Sequence, residues 1–131
     1  MKLTYSHHCI YSLNYHLVLV VAYRKKVLTP DILARCVEIT SNIASMFKSK
    51  VVEANGEADH IHILLSAQPD FTMCRFVNSL KTVTSRRLKN EFPEIRGKLW
   101  KEKFWTAGYF MVTAGGAPLD AIKQYVENQG L

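Results

Sequence analysis

The stretch Asp59-His60-Ile61-His62-Ile63-Leu64-Leu65 decides how the middle of this chain folds. As a β-strand it places His60 and His62 on one face, because strand side chains alternate with a period of two. The two isoleucines and Leu65 then point to the opposite face and enter a core. Two imidazoles are left together at a spacing that suits one metal ion, although paired strand histidines are also common as ordinary surface or cross-strand residues.

A second informative segment lies near the end of the chain, at residues 118–129. Pro118 followed by Asp120 is typical of a helix start. Tyr125 and Gln129 then lie one turn apart on one side of the helix. Tyr125 offers a phenol as a nucleophile, and Gln129 offers an amide oxygen that would join two imidazoles around a hard divalent ion. Packing or solvation explains each residue equally well alone, so the pair is informative only together with the histidines.

Length and composition favour one soluble domain. The 131 residues suffice for one core, so we expect a single domain over residues 1–131. The formal charge of +6 favours a polyanionic partner. No run approaches the length of a membrane span, and the amino terminus is too polar for a signal peptide. Cys9, Cys36 and Cys74 are odd in number and widely spaced, which indicates reduced thiols and a cytoplasmic location.

The first half of the chain contains signals for two strands before the histidine strand and one helix between them. Residues 13–23 form an unbroken apolar run, which predicts a central strand. Thr29-Pro30-Asp31 predicts the start of the first helix. Residues 50–53 predict a short strand, and Asn55-Gly56 predicts the hairpin turn into the histidine strand.

The second half adds a helix, a strand and the helix that carries Tyr125. Thr72 opens the second helix, and residues 106–113 predict a fourth strand. Gly115-Gly116 separates this strand from the tyrosine helix. The order β-α-β-β-α-β is that of a ferredoxin-like or RRM-like antiparallel sheet, so we expect an α+β fold with an added carboxy-terminal helix.

Four segments together resemble the single-tyrosine HUH transposases of the smallest bacterial insertion sequences, where HUH denotes histidine, hydrophobic residue, histidine. The segments are His60-Ile61-His62, the helix from Leu80-Lys81 to Ser85-Arg86-Arg87-Leu88, the strand from Phe104 to Phe110, and Ile122 to Gln129. The resemblance runs from about Tyr11 to Gln129. It implies that His60, His62 and Gln129 are metal ligands and that Tyr125 is the nucleophile.

The resemblance also implies an activity and an assembly. It predicts a metal-dependent enzyme that cleaves and rejoins single-stranded DNA at hairpin-bearing element ends, through a covalent 5′-phosphotyrosine that retains the energy of the broken bond. It predicts a homodimer in which the tyrosine helix of one subunit completes the histidine site of the other. Two imidazoles and one amide oxygen bring no negative charge and leave positions open, which favours Mg²⁺ or Mn²⁺.

Basic and aromatic side chains supply candidate DNA contacts. The candidates for phosphate are Arg24, Lys25, Lys26, Arg86 and Arg87, and an exposed aromatic such as Trp100 or Tyr109 would stack on an unpaired base. Two alternatives remain open: a host-adopted HUH nuclease that acts on repeated chromosomal hairpins, and a non-catalytic RRM-like RNA-binding module. The second predicts aromatic residues on the central strands, a pattern that the chain lacks.

Overall fold

The computed structural model describes residues 4–5, 10–11, 13–113 and 125–129. The strands are β1 (Thr4–Tyr5), β2 (Ile10–Tyr11), β3 (Asn14–Val20), β4 (Lys50–Glu57), β5 (His60–Ser66) and β6 (Phe110–Thr113). The helices are α1 (Pro30–Met46) and α2 (Met73–Glu91), with short 3₁₀ helices at Ala22–Arg24, Pro93–Lys98 and Trp100–Glu102. Residues 125–128 are also helical.

The main sheet has four strands in the order β4-β5-β3-β6, and all three pairings are antiparallel. The predicted α+β order is thereby confirmed, as is the central position of β3. Strands β1 and β2 form a separate antiparallel pair. The tyrosine helix is confirmed over its described residues, whereas the predicted start at Pro118 and the Gly115-Gly116 pair lie outside them.

Helices α1 and α2 cover one face of this sheet and bury its apolar side chains. Ile61, Ile63 and Leu65 are fully buried there, in one core with residues of both helices. The start of α1 is as predicted, because the Thr29 hydroxyl accepts a hydrogen bond from the Ile32 amide. The helices therefore occupy the face opposite the two histidines.

The hairpin between β4 and β5 turns at Ala58 and Asp59, so the predicted turn at Asn55-Gly56 is wrong. Gly56 lies inside β4 opposite Ile61. A Cβ atom at Gly56 would collide with the backbone carbonyl oxygen of His60, so glycine permits close approach of two strands here instead of a turn.

The fourth strand begins at Phe110, four residues later than the sequence pattern predicts. The Lys81 ammonium group donates hydrogen bonds to the carbonyls of Thr106, Ala107 and Gly108 at 2.7, 3.1 and 2.8 Å. A strand points successive carbonyls in alternating directions. Three consecutive carbonyls that face one cation therefore hold this segment out of the sheet.

Two of the three cysteines lie in the described part of the chain. Cys36 is buried and Cys74 is exposed, and both are free, while Cys9 lies outside the described residues. Burial raises the pKa of Cys36 to about 12, which keeps this thiol protonated. Within the described segments, no helix has the length and hydropathy needed to cross a membrane.

Candidate active site and its family

The two histidines of β5 project from the sheet face that α1 and α2 leave open. Burial alternates along the strand, with Ile61 and Ile63 inside and with His60 and His62 partly exposed. The predicted alternation is thus confirmed. In the neighbouring strand β3, Val20 pairs with His60 and Val18 pairs with His62. These two valines mark the part of the open face that lies beside the histidines.

His60 is held by a carboxylate and an arginine. Its Nδ1 lies 2.8 Å from Asp59 Oδ1, and the other oxygen of Asp59 accepts a hydrogen bond of 2.9 Å from Arg24 Nε. Burial opposes ionisation of Asp59, but the hydrogen bonds from His60 and Arg24 outweigh it and lower the pKa of Asp59. A carboxylate on one ring nitrogen is the usual support of a metal-binding histidine, and it leaves Nε2 of His60 available.

His62 is paired with a histidine that sequence reasoning missed. Its Nε2 lies 2.8 Å from His16 Nδ1, with the ring centroids 5.0 Å apart. Burial, together with the neighbouring His16, lowers the pKa of His62, so this imidazole stays neutral at a more acidic pH than a free imidazole does. His16 lies two residues before Val18 in β3 and so shares its face. The period-two pattern of β3 contained this signal.

A carboxylate-rich group surrounds His60. Potential ligand atoms of Glu57, Asp59 and His60 all lie within 4.8 Å of one another, and Glu57 pairs directly with His60 across β4 and β5. Oxygen donors of this kind suit Mg²⁺ and Mn²⁺. Glu57 is not among the predicted ligands, because the turn predicted at Asn55-Gly56 would separate it from β4.

The tyrosine helix packs on the same open face of the sheet. Val126 is buried in a cluster with Val18 and Val20, and the Tyr125 ring lies 5.2 Å from the Phe110 ring. The backbone N–H of Gln129 donates a hydrogen bond to the backbone carbonyl of Tyr125 at 3.3 Å, which confirms that these residues lie one turn apart. Since the two valines pair with the two histidines, Tyr125 and the histidines share one face within a single chain.

The three predicted ligands lie on two elements, His60 and His62 on β5 and Gln129 at the end of the tyrosine helix. No hydrogen bond within the described residues joins the Gln129 side chain to His60 or His62. The connection between the two motifs runs through Arg24, whose Nη1 lies 3.5 Å from the Glu127 carbonyl oxygen while its Nε binds Asp59. Arg24 therefore links the histidine motif to the tyrosine helix, and its guanidinium is already engaged within the protein.

The Tyr125 hydroxyl is buried. Among the described residues it neither donates nor accepts a hydrogen bond of good geometry. Burial raises the pKa of Tyr125, and the nearby Thr106 hydroxyl offsets only part of this shift. The phenol is therefore neutral at ordinary pH.

Comparison with known proteins gives the family. The family model described as "Transposase IS200 like" matches residues 9–129. The chain belongs to the IS200-like transposase family. The ISDra2 transposase TnpA of Deinococcus radiodurans is 32% identical over 120 residues, which span 92% of this chain and 86% of that protein. The transposase for insertion sequence element IS200 of Salmonella typhimurium is 27% identical over 122 residues, which span 93% of this chain and 80% of that one.

A solved structure supports the same assignment. The crystal structure of a putative transposase from Deinococcus radiodurans superposes with a TM-score of 0.88 at 29% identity, and covers 96% of this chain and 97% of that one. The resemblance deduced from the His60-Ile61-His62 strand and the tyrosine helix is thereby confirmed. The protein is a transposase, and its family acts on DNA in transposition.

The transposase also carries a basic groove along the polar flank of α2. The groove has a volume of about 640 Å³. Its cationic lining residues are Lys81, Arg86, Lys89, Arg96 and Lys103. Glu102 also lines it and is paired with Arg96 at 2.7 Å. The cations outnumber this carboxylate, so the groove suits a phosphate backbone.

The candidate DNA-contacting residues differ in their availability. Arg86 is exposed and lines the groove, whereas Arg87 lies 3.4 Å from Glu91, a carboxylate that also binds Arg35. Lys25 and Lys26 are exposed in the segment after β3. Arg86 and the two lysines are thus open to a ligand, while Arg87 is engaged by an ion pair.

Proposed function

We propose that this transposase cleaves and rejoins single-stranded DNA at hairpin-bearing element ends, with Tyr125 as the nucleophile. The observation that carries the proposal is the packing of the tyrosine helix on the histidine face of the sheet, through Val126 against Val18 and Val20. This packing brings a phenol and two imidazoles to one surface. An RRM-like RNA-binding module would leave the same surface free for stacked bases.

The chemistry follows from the nucleophile. The Tyr125 oxygen attacks the phosphorus of a phosphodiester, a bond from that oxygen to phosphorus forms, and the bond to the 3′ oxygen breaks. The phenol loses its proton and the departing 3′ oxygen gains one, so the products are a 5′-phosphotyrosine and a free 3′-hydroxyl. Attack by a 3′-hydroxyl on the phosphotyrosine reverses the reaction and rejoins the strand without an energy cofactor.

His60, His62 and Gln129 are the proposed ligands of Mg²⁺ or Mn²⁺. The support of Asp59 on His60 and the proximity of Glu57 fit a hard divalent ion. His16 occupies Nε2 of His62, so His62 would bind through Nδ1 or after that hydrogen bond opens. A bound divalent ion neutralises charge that develops on the phosphate oxygens.

The proposal is tested by incubation of the protein with single-stranded hairpin DNA and Mn²⁺. We expect cleavage that leaves a 3′-hydroxyl and a protein–DNA adduct that survives denaturation. Cleavage to a free 5′-phosphate, with no adduct at any time, would show that water is the nucleophile. That result would overturn the covalent mechanism.

Arg86→Ala should weaken binding to hairpins of every sequence by a similar factor, because a groove arginine contacts phosphate and not base edges. Each lost phosphate contact should lower the salt slope of log affinity by about 0.7 for a single strand or about 0.9 for a duplex stem. Titrations at several salt concentrations measure both quantities.

Arg87→Ala is the matched control for that variant. It removes the neighbouring arginine, which is engaged by Glu91, so its main effect should be on the thermal midpoint instead of the salt slope. A folded Arg86→Ala protein with unchanged affinity and salt slope would show that Arg86 does not contact DNA and is an ordinary solvated residue of α2.

We propose further that the protein acts as a homodimer in which the tyrosine helix leaves its own chain, where Val126 packs against Val18 and Val20, and completes the histidine site of the other subunit. Mixing His60→Ala with Tyr125→Phe should then restore cleavage, since each heterodimer has one site with both groups intact. Random exchange predicts recovery to about a quarter of wild-type activity. If each site used its own tyrosine, exchange shown by affinity-tag capture would leave the mixture inert.

A further inference from the structure

Two exposed aromatic rings form a notch beside the histidine site. Tyr23 and Trp100 are 50% and 53% exposed, and their centroids lie 5.4 Å apart at an interplanar angle of 81°. Together with Lys25 they line a cavity of about 270 Å³. They are the only exposed aromatic residues among the large hydrophobic side chains of the described chain. Such exposure of paired rings is unusual and indicates a binding role.

The backbone around the notch is strained. The residues concerned are Tyr23 and Arg24, with φ of 58° and 51°, and Lys101 and Glu102, with φ of 50° and 56°. Residues other than glycine rarely adopt this left-handed backbone conformation, and those that do are often at functional sites. Arg24 is anchored by Asp59, and Glu102 is anchored by Arg96. These ion pairs hold both turns, and hence both rings, in position.

The charge around the notch is positive. Lys101 Nζ lies 4.6 Å from the centroid of the Trp100 ring, and Lys25 forms part of the wall. A planar heterocycle stacked on one ring would meet the other ring edgewise, since the rings are almost perpendicular. The adjacent ammonium groups would meet a phosphate. Exposed rings beside cations are the combination with which proteins bind unpaired nucleotides.

The notch is connected to the proposed cleavage site by direct contacts. Tyr23 is followed by Arg24, whose Nε binds Asp59, and Asp59 binds His60. We propose that the Tyr23–Trp100 notch binds one unpaired base of the single strand that flanks the cleaved phosphate. This inference rests on the proposed function, because it assumes that a single strand passes His60.

The test compares two single-stranded probes in the presence of chelator, so that no cleavage occurs. One probe is oligothymidine, which suffices because stacking tolerates every base, and the other carries abasic residues in place of the thymidines. Trp100→Ala should weaken binding of oligothymidine by about 5- to 150-fold, the equivalent of one lost stack. It should leave binding of the abasic probe unchanged. Trp100→Phe should retain most of the affinity.

Met46→Ala serves as the control, because Met46 is another large hydrophobic residue, 78% exposed, at the end of α1. Its affinity for both probes should equal that of the wild type. If Trp100→Ala binds oligothymidine as tightly as the wild type, or loses affinity equally for both probes, the notch does not bind a base and the inference fails.

The covalent adduct assay separates this inference from the proposed function. If the wild-type protein forms the adduct and Trp100→Ala shows no base-dependent loss of affinity, the proposed function holds and base binding by the notch is wrong. If Trp100→Ala loses affinity only for the probe with bases, and the wild-type protein forms no adduct, base binding by the notch holds and the covalent mechanism is wrong. If the wild-type protein does not bind oligothymidine at all, the inference that the notch binds a base is wrong.

Discussion

Tyr125→Phe should reduce DNA cleavage by at least about a thousand-fold and abolish the covalent adduct, because the variant lacks the oxygen that bonds to phosphorus. Folding should be unaffected. The hydroxyl is buried without a hydrogen-bond partner among the described residues, so its removal breaks no hydrogen bond and relieves an unsatisfied group. The thermal midpoint should therefore equal or exceed that of the wild type, and hairpin binding should persist.

Tyr15→Phe is the matched control, since it removes a hydroxyl from a partly buried tyrosine of β3 that has no part in the proposed site. Gel analysis of adduct and cleavage products, together with thermal melts, measures both effects. Near wild-type cleavage by Tyr125→Phe would exclude this residue as the nucleophile.

His60→Ala and His62→Ala should each abolish metal-dependent cleavage and lower the affinity for Mn²⁺ by at least about tenfold, since each removes a proposed ligand. Asp59→Asn should have a smaller effect of the same kind, because Asp59 supports His60 through its Nδ1. Calorimetric titration with Mn²⁺ and cleavage assays measure the two quantities. Full activity in excess chelator would remove the metal from the mechanism.

The pH dependence of cleavage should follow from the same ligands. Only neutral imidazole binds a metal ion, so activity should fall as the pH drops below about 6.5, the ordinary imidazole pKa. Because burial lowers the pKa of His62, this residue remains a competent ligand further into the acid range. At the alkaline end, the raised pKa of Tyr125 keeps the phenol neutral, so cleavage should still rise with pH above neutrality.

Local periodicity predicted the parts of the fold that depend on a few neighbouring residues. The alternation of β5 required only that His60 and Ile61 occupy opposite faces, and the cap at Thr29 required only its own turn of α1. The spacing of Tyr125 and Gln129 followed in the same way from helical geometry.

Long-range contacts account for what the sequence did not predict. Asn55-Gly56 has the composition of a turn, but the close approach of β4 to β5 uses the glycine inside a strand. Residues 106–109 have the composition of a strand, but Lys81 of α2 binds the carbonyls of residues 106–108. Neither contact is visible in a local pattern.

The candidate site shows the same division. His60, His62 and Tyr125 were found from spacing, whereas His16 and Glu57 reach the histidines through strand pairing. His16 is placed by the register between β3 and β5, and it lies 46 residues before His62 in the chain. Glu57 pairs with the nearby His60 across the β4–β5 hairpin, and the wrong prediction of a turn at Asn55-Gly56 concealed that pairing. Arg24 contacts both Asp59 and Glu127, which lie 35 and 103 residues after it in the chain, so no local pattern predicts this link.

The most direct test of the central claim is to identify the residue that is linked to DNA. Wild-type protein is incubated with single-stranded hairpin DNA and Mn²⁺, the adduct is isolated and digested with protease and nuclease, and the nucleotide-bearing peptide is sequenced by mass spectrometry. We expect a 5′-phosphate esterified to the phenolic oxygen of Tyr125. A nucleotide attached to any other residue, or at its 3′ end, would contradict the account.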